Sequence, residues 1–266
     1  MTTPVQHLPQ NSPLVAGIRL VEPLQPLRWL ARGACDFARQ PGVSMFYGLL
    51  VVLAGAIIFL TVAKMPYMFT AAVSGFLLVA PICATGLYAL SCGYERNERM
   101  RLRDTFLVWR RNPSGLTGFS VFALFAGTAW QVLSLVIMAL LYKGDALEPM
   151  ELIVEVLRNP KYAFLFVTYL FVGGIVAAMV FALSVVSVPM LLDRQCELTE
   201  AMRASIMVVT ENPLPLALWA GIIMLFCMLG FASGLVGFVV VMPILGHASW
   251  HAYRDLIDAD KFHPAS

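Results

Sequence analysis

The chain has 266 residues, of which 59% are hydrophobic and only 13% are charged, and its formal net charge is +2. Soluble domains carry roughly 25% charged residues, so this composition excludes an ordinary water-exposed globular domain. The nearly balanced charge argues against a nucleic-acid partner, and the five cysteines form no CxxC pair of the zinc-knuckle or thioredoxin type. The sequence therefore predicts an integral membrane protein built of α-helices.

Six apolar segments follow one another along the chain. A helix needs about 20 apolar residues to cross a hydrocarbon core of about 30 Å. The last apolar stretch is about twice as long as one crossing needs, and we divide it at GFASG (230–234), where glycines permit a tight reversal. The expected fold is all-α, with three transmembrane hairpins whose six helices are 43–63, 67–91, 116–142, 162–192, 213–230 and 233–254. This membrane domain, residues 27–256, is flanked by a disordered tail at 1–26 and a short tail at 257–266.

Each predicted hairpin follows a segment with the pattern of an amphipathic helix at the membrane interface. The apolar face of the first such helix consists of Leu27, Leu30, Ala34 and Phe37. Each segment ends at a proline, which stops the surface helix and suits the first turn of the next one. The three segments are 27–41, 101–113 and 198–213, and a further short interfacial helix is expected in the acidic insertion 143–161.

The basic residues predict the orientation. Residues 1–42, the 92–115 and 193–212 connections and the C-terminal end from Arg254 onward hold 14 Lys and Arg residues, whereas the opposite side holds four. Because the excess of basic residues lies on the cytoplasmic side, both termini are expected in the cytoplasm of a bacterial cell, with the protein in its cytoplasmic membrane. Trp29, Trp109 and Trp250 fall at the same boundary.

An internal repeat is visible in the second helices of two hairpins. FLLVAPICATGLYAL (76–90) aligns with FVVVMPILGHASWHA (238–252). In this alignment His247 stands where the first copy has Thr85, and His251 stands where it has Ala89. The repeated scaffold itself therefore does not require the two histidines.

His247 and His251 are the main candidates for a binding site. They are four residues apart, and Asp255 follows four residues later, so a helix places all three on one face. Two imidazoles and a carboxylate can hold a metal ion, and neutral imidazole also suits haem iron. The alternative is a polar helix end, whose ring nitrogens bond to water, lipid phosphate or neighbouring helices.

A second group of candidates lies at the predicted cytoplasmic boundary. The stretch RNERMRLRDTFLVWRR (96–111) is strongly basic, and such a surface contacts anionic lipid or a docked protein. The residues predicted to contact lipid or a partner are Arg96, Arg99, Arg101, Arg103, Arg110, Arg111, Trp250 and Arg254.

Four stretches resemble a known family: QPGVSMFYGLL, FLLVAPICATGLYALS, VPMLLDRQCELTEAMRAS and PILGHASWHAYRDLI, within roughly 25–256. They are similar to a bacterial family of integral membrane proteins of unknown function (domain of unknown function 2189), whose members are often labelled cytochrome c oxidase subunit I-like. That label implies association with a respiratory oxidase. An oxidase core needs more histidines and more spans than this chain has, so the resemblance implies at most an accessory or assembly component.

Three functions remain open from the sequence. They are a non-catalytic accessory subunit or assembly factor of a membrane complex such as a respiratory oxidase, a metal- or haem-binding protein using His247 and His251, and a carrier for a neutral or lipid-like solute. Apart from Arg254 at its boundary, no predicted span contains a charged residue, which disfavours an ion-coupled transporter. No nucleophile–base pair, phosphate loop or paired-carboxylate motif supports an enzyme, and no cofactor is expected beyond the metal or haem.

Overall fold

The computed structural model describes residues 17–62, 72, 84–98, 100–144 and 149–258. Within these ranges the chain folds into α-helices joined by short connections, as the sequence predicts. The helices are α1 Gln25–Arg39, α2 Pro41–Val62, α3 Thr85–Glu95, α4 Leu102–Leu107, α5 Pro113–Leu141, α6 Pro149–Arg158, α7 Ala163–Ser184, α8 Ser187–Asp193, α9 Leu198–Glu211, α10 Pro213–Ala232 and α11 Phe238–Leu256.

The described residues contain four stretches that are long and apolar enough to cross a membrane. They lie in α2, α5, the α7–α8 segment and α10, and they correspond to the first, third, fourth and fifth predicted spans. Most of the second predicted span, 67–91, lies outside the described residues. The sixth, 233–254, contains the 19-residue α11, which is not among the four because His247, His251 and other polar residues lower its hydropathy.

The predicted boundaries between helices are confirmed at several places. The amphipathic helices α1, α4 and α9 all end before the prolines that begin α2, α5 and α10, with a 3-10 turn at Val108–Arg110 after α4. A turn also lies at the predicted GFASG site, where Gly234 adopts a φ of +65° between α10 and α11. The helix expected in 143–161 is α6.

Two sequence predictions need correction. The fourth span is broken after Ser184, because Pro189 has no N–H for the Val185 carbonyl and the Val186 N–H turns to the Ser205 hydroxyl at 3.4 Å. The N-terminal tail is also partly ordered. The Arg19 N–H donates to the Leu256 carbonyl at 2.9 Å, so this segment is fixed against the end of α11.

The densest packing lies at one end of the molecule. There α11 packs against α1, α3 and α8, α3 also packs against α8, and α9 packs against α8. We call these five elements the packed end. Its interior holds many of the largest fully buried side chains, including Trp29, Met190, Trp250 and Tyr253. In the apolar windows of α2, α5 and α10, by contrast, only 22%, 22% and 28% of the residues are buried.

The polar residue before each of the three prolines forms hydrogen bonds with a segment that leads into another amphipathic helix. The Asn112 amide donates to the carbonyls of Arg194 and Cys196, which lead into α9. The Asn212 amide donates to the Arg19 carbonyl in the segment that leads into α1. Gln40 accepts from the Tyr94 hydroxyl at the end of α3, on the way to α4. Each junction therefore fixes the approach to another amphipathic helix.

The buried face of α1 differs from the predicted apolar face. Leu27 is 51% exposed, whereas Trp29, Gly33 and Asp36 are buried against α11. The apolar face that the sequence pattern indicates is thus only partly covered: Leu27 and Ala34 are exposed, whereas Leu30 and Phe37 are half-buried, as suits a helix at a membrane interface.

Gly33 provides a test of this packing. A Cβ at Gly33 would lie 2.6 Å from the Ala248 backbone nitrogen and 2.6 Å from the Ile244 carbonyl oxygen, so α1 and α11 would have to separate. Gly42 is also helical and has open space around its missing Cβ. We expect Gly33→Ala to lower stability by about 1–3 kcal/mol, and Gly42→Ala to leave it equal or slightly higher. Thermal unfolding of the detergent-purified variants, followed by size-exclusion chromatography, measures this difference, and equal melting temperatures would contradict the α1–α11 contact.

Candidate functional site

The two histidines lie in a buried polar network at the packed end. The network consists of Asp36 of α1, Ser44 of α2, Ser91 of α3, and His247 and His251 of α11. Ser44, Ser91 and His247 have no exposed surface, and Asp36 and His251 are only 4% and 8% exposed. Four helices therefore contribute polar side chains to one site that is almost completely removed from solvent.

Asp36 is the centre of this network. Its Oδ2 atom lies 2.8 Å from His251 Nε2 and accepts the Ser91 hydroxyl at 2.8 Å, while Oδ1 lies 3.3 Å from the Arg39 guanidinium. Burial acts to raise the pKa of this carboxyl, but the hydrogen bonds from His251 and Ser91 outweigh it and hold the pKa below its ordinary value. Asp36 is thus a charged acceptor shared by α1, α3 and α11.

His247 is connected to the same carboxylate through Ser91. Its Nδ1 lies 2.7 Å from Ser91 Oγ, and its Nε2 lies 3.0 Å from Ser44 Oγ. The Ser91 hydroxyl has one proton and donates it to Asp36, so the Nδ1–H of His247 must donate to Ser91. Nε2 then accepts the Ser44 hydroxyl, and both ring nitrogens of His247 have partners.

Asp255 lies in a different set of contacts from the two histidines. It accepts hydrogen bonds from Gln25 at 2.7 Å and from the Trp29 indole at 2.8 Å, and its carboxylate forms an ion pair with Arg32. Burial again acts to raise the pKa, but these donors, with Arg32 first, hold the pKa of Asp255 below its ordinary value. Within the described ranges, no group of three or more His, Cys, Asp or Glu side chains is placed to hold a metal ion. Metal or haem binding at His247 and His251 stays a prediction.

The predicted contact residues fall into four groups. Arg96 and Arg254 bind within the chain: both face Asp193, at 3.4 Å and 3.8 Å, and Arg254 also pairs with Glu95 at 3.1 Å. Trp250 is completely buried, so its ring contacts the protein interior rather than surrounding lipid. Arg99 lies outside the described residues. The residues that remain on the surface are Arg101, Arg103, Arg110 and Arg111.

A cavity of about 260 Å³ opens beside the network, between α1, α3 and α11. Asp36, Ser91 and His251 of the network line it, and the other lining residues are Arg32, Cys35, Arg39, Tyr94 and Glu95. The Arg39 guanidinium carbon lies 5.5 Å from the centre of the Tyr94 ring. Burial and the nearby Asp36 carboxylate raise the pKa of the Tyr94 hydroxyl to about 12, against the effect of Arg39. This hydroxyl therefore stays protonated as a hydrogen-bond donor at neutral pH.

The sequence patterns do not single out Asp36, Ser44 and Ser91, although the three copies of the amphipathic helix and its proline junction carry a signal for two of them. Asp36 lies five residues before Pro41, and the same place before Pro113 and Pro213 is taken by Val108 and Val208. Ser44 lies three residues after its proline, where the other copies have Leu116 and Leu216. These four apolar residues are all buried, so the structure fills the same positions with hydrocarbon in two of three copies.

The comparison of the three junctions shows that packing alone does not require polar residues at these two positions. Well-packed apolar side chains stabilise a buried position as well as, or better than, a buried charged network does. The other two junctions form with apolar residues at these positions, and the concentration of polar residues at one junction marks this place as the candidate functional site.

The comparisons with known proteins agree with a membrane protein and name no activity. A family model described as a predicted integral membrane protein (DUF2189) matches residues 68–193, which confirms the resemblance seen in the sequence. The matched segment contains Ser91, while the other four network residues lie outside it. Neither the search of curated proteins nor the search of solved structures returned a match.

The pairing of Asp36 with His251 can be tested by a double-mutant cycle that uses the apolar residues of the other copies. Asp36→Val leaves His251 without its acceptor, and His251→Ala removes one of the donors to the carboxylate, so each should cost about 1–3 kcal/mol. The double variant should cost less than the sum of the two. Thermal unfolding in one detergent measures all four proteins, and strict additivity would contradict the pairing.

Acid sensitivity provides a second test of Asp36. Its pKa is lower in the folded chain than the ordinary value of 3.8, so its ionised form stabilises the fold above about pH 4, and this contribution is lost as the pH falls through the folded pKa. His251 and Arg39 are the charged or chargeable groups bonded to the carboxylate. The melting temperature of the wild type should fall more steeply from about pH 5 to pH 3 than that of Asp36→Asn. Parallel curves would show that Asp36 makes no such contribution.

Proposed function

We propose that this chain, an integral membrane protein matched over residues 68–193 to the DUF2189 family, is a non-catalytic accessory subunit or assembly factor of a membrane complex. Its six spans form three hairpins in the bacterial cytoplasmic membrane, and both termini lie in the cytoplasm. A respiratory oxidase is the partner class that the family resemblance suggests. The observation that carries the proposal is the contrast between the packed end and the outward-facing apolar helices.

The apolar helices support this role through the surface that they leave uncovered. Large side chains on α5 and α7 face outward, with Phe125 73% exposed and Phe171 68% exposed. Helices within a bilayer associate through close packing rather than the hydrophobic effect, so lipid and the helices of another membrane protein can both cover such surfaces. Three of the four apolar stretches are therefore available to a partner over most of their surface.

The charged surface of α4 and the fixed buried network also support this role. The amphipathic helix α4 exposes Phe106 by 52% and Leu107 by 48%, and these residues lie among the exposed Arg101, Arg103 and Arg110. A basic surface with apolar residues suits a protein contact at the membrane boundary, and the positive charge fits a cytoplasmic position. The side chains of the buried network bond to one another, which suits a fixed support for this surface.

Co-purification after chemical crosslinking in intact membranes tests the proposal. A photoreactive residue at Phe106 should link the chain to one membrane protein in a stoichiometric amount, and Arg101→Glu with Arg103→Glu should lower this yield several-fold. Phe171, exposed on α7, is the position that reports contacts within the membrane. If an oxidase is the partner, haem absorption should accompany the complex and leave with the partner on dissociation. A chain that remains solitary from both crosslinking positions would refute the accessory role.

A further inference from the structure

We infer that the cavity between α1, α3 and α11 binds the zwitterionic headgroup of a phospholipid of the phosphoethanolamine class. The phosphate lies at Arg39 and Arg32, and the amine lies at Glu95. This lipid site does not depend on the partner role proposed above.

The position of the cavity fits the headgroup layer of a membrane. Arg39 is followed after one residue by Pro41, where the apolar window of α2 begins. Tyr94 and Glu95 form the end of α3, so the cavity is bounded by the last residues before charged connections. Its volume of about 260 Å³ lies just below the roughly 300–1,000 Å³ of pockets for drug-sized ligands. The space therefore suits a headgroup rather than a whole lipid.

Two arginines supply the phosphate half of the site. The Arg39 side chain is 58% exposed, and its guanidinium is oriented by the Tyr94 ring and by Asp36. A guanidinium has five donors in a planar fork that matches phosphate oxygens, and the ion pair with Asp36 joins only one of its nitrogens. Arg32 is 40% exposed beside the same cavity, held by its pair with Asp255.

The carboxylates indicate a zwitterion rather than an anion. Asp36 and Glu95 line the same space as the two arginines, so a headgroup with only negative charge would meet repulsion as well as attraction. The Glu95 side chain is 33% exposed and forms an ion pair with Arg254 at 3.1 Å. Exposed ion pairs contribute little free energy, so an ammonium group can share this carboxylate at low cost. An amine a few bonds from a phosphate matches both halves of the cavity.

Native mass spectrometry of the full-length protein with added lipids tests this inference. Phosphatidylethanolamine should be retained about tenfold better than phosphatidylcholine, because choline has no N–H to donate to Glu95. Arg39→Gln and Glu95→Gln should each lower retention of phosphatidylethanolamine about tenfold. Arg28→Gln serves as the matched control, since this side chain belongs to α1, is 67% exposed and lies outside the cavity, and it should leave retention unchanged.

The alternatives give different results in the same experiment. Stronger retention of phosphatidylglycerol than of phosphatidylethanolamine would refute the zwitterionic site. Equal retention of all three lipids, unchanged in the variants, would show only nonspecific surrounding lipid. Displacement of the lipid by an equal concentration of soluble phosphoethanolamine would assign the cavity to a soluble ligand. Size-exclusion profiles and melting temperatures of the variants verify that any loss comes from the site rather than from unfolding.

Discussion

The Asp36 carboxylate is the group on which the packed end depends. A buried carboxylate is costly unless donors surround it, and here the donors come from Ser91 and His251, while Arg39 supplies a nearby cation. Ser91 belongs to α3 and His251 to α11, so compensation of the charge requires both helices to lie against α1. The need to compensate the charge of one buried carboxylate therefore fixes the relative positions of α1, α3 and α11. The cavity is the space that these three helices leave between them.

The three proline junctions show how the same scaffold forms with and without such a charge. Asn112 and Asn212 bond to backbone carbonyls of the segments that lead into α9 and α1. These backbone contacts do not depend on which side chains fill the interface beyond them. The other two copies can therefore place Val108 and Val208 where the first has Asp36. The repeated unit supplies the geometry, and the chemical difference among copies supplies the candidate site.

The sequence predicts those features that depend on local periodicity. Apolar runs gave the helices α2, α5 and α10, the prolines gave their starts, and GFASG gave the turn before α11. The break after Ser184 was not predicted, because a proline in an apolar run is also compatible with a kink. Of the buried network, the sequence predicts only the histidine pair, in a site together with Asp255. Asp36 looked like an ordinary surface charge on an amphipathic helix, and only tertiary contact reveals that its face is buried. Asp255 was grouped with the histidines by helical spacing, although its partners lie on α1.

The difference in burial between the packed end and the apolar helices follows from the two surroundings of the chain, which are water and hydrocarbon. Within hydrocarbon, burying an apolar side chain against another helix gains little, because lipid is equally apolar. At the boundary with water the hydrophobic effect is available, and there the chain places Trp29, Trp250 and Tyr253 completely inside. Stability is therefore concentrated at the packed end, which holds the apolar helices mainly from one side. A membrane protein held together in this way can keep the cavity at its packed end fixed while its apolar helices adapt to whichever lipid or protein surface lies beside them.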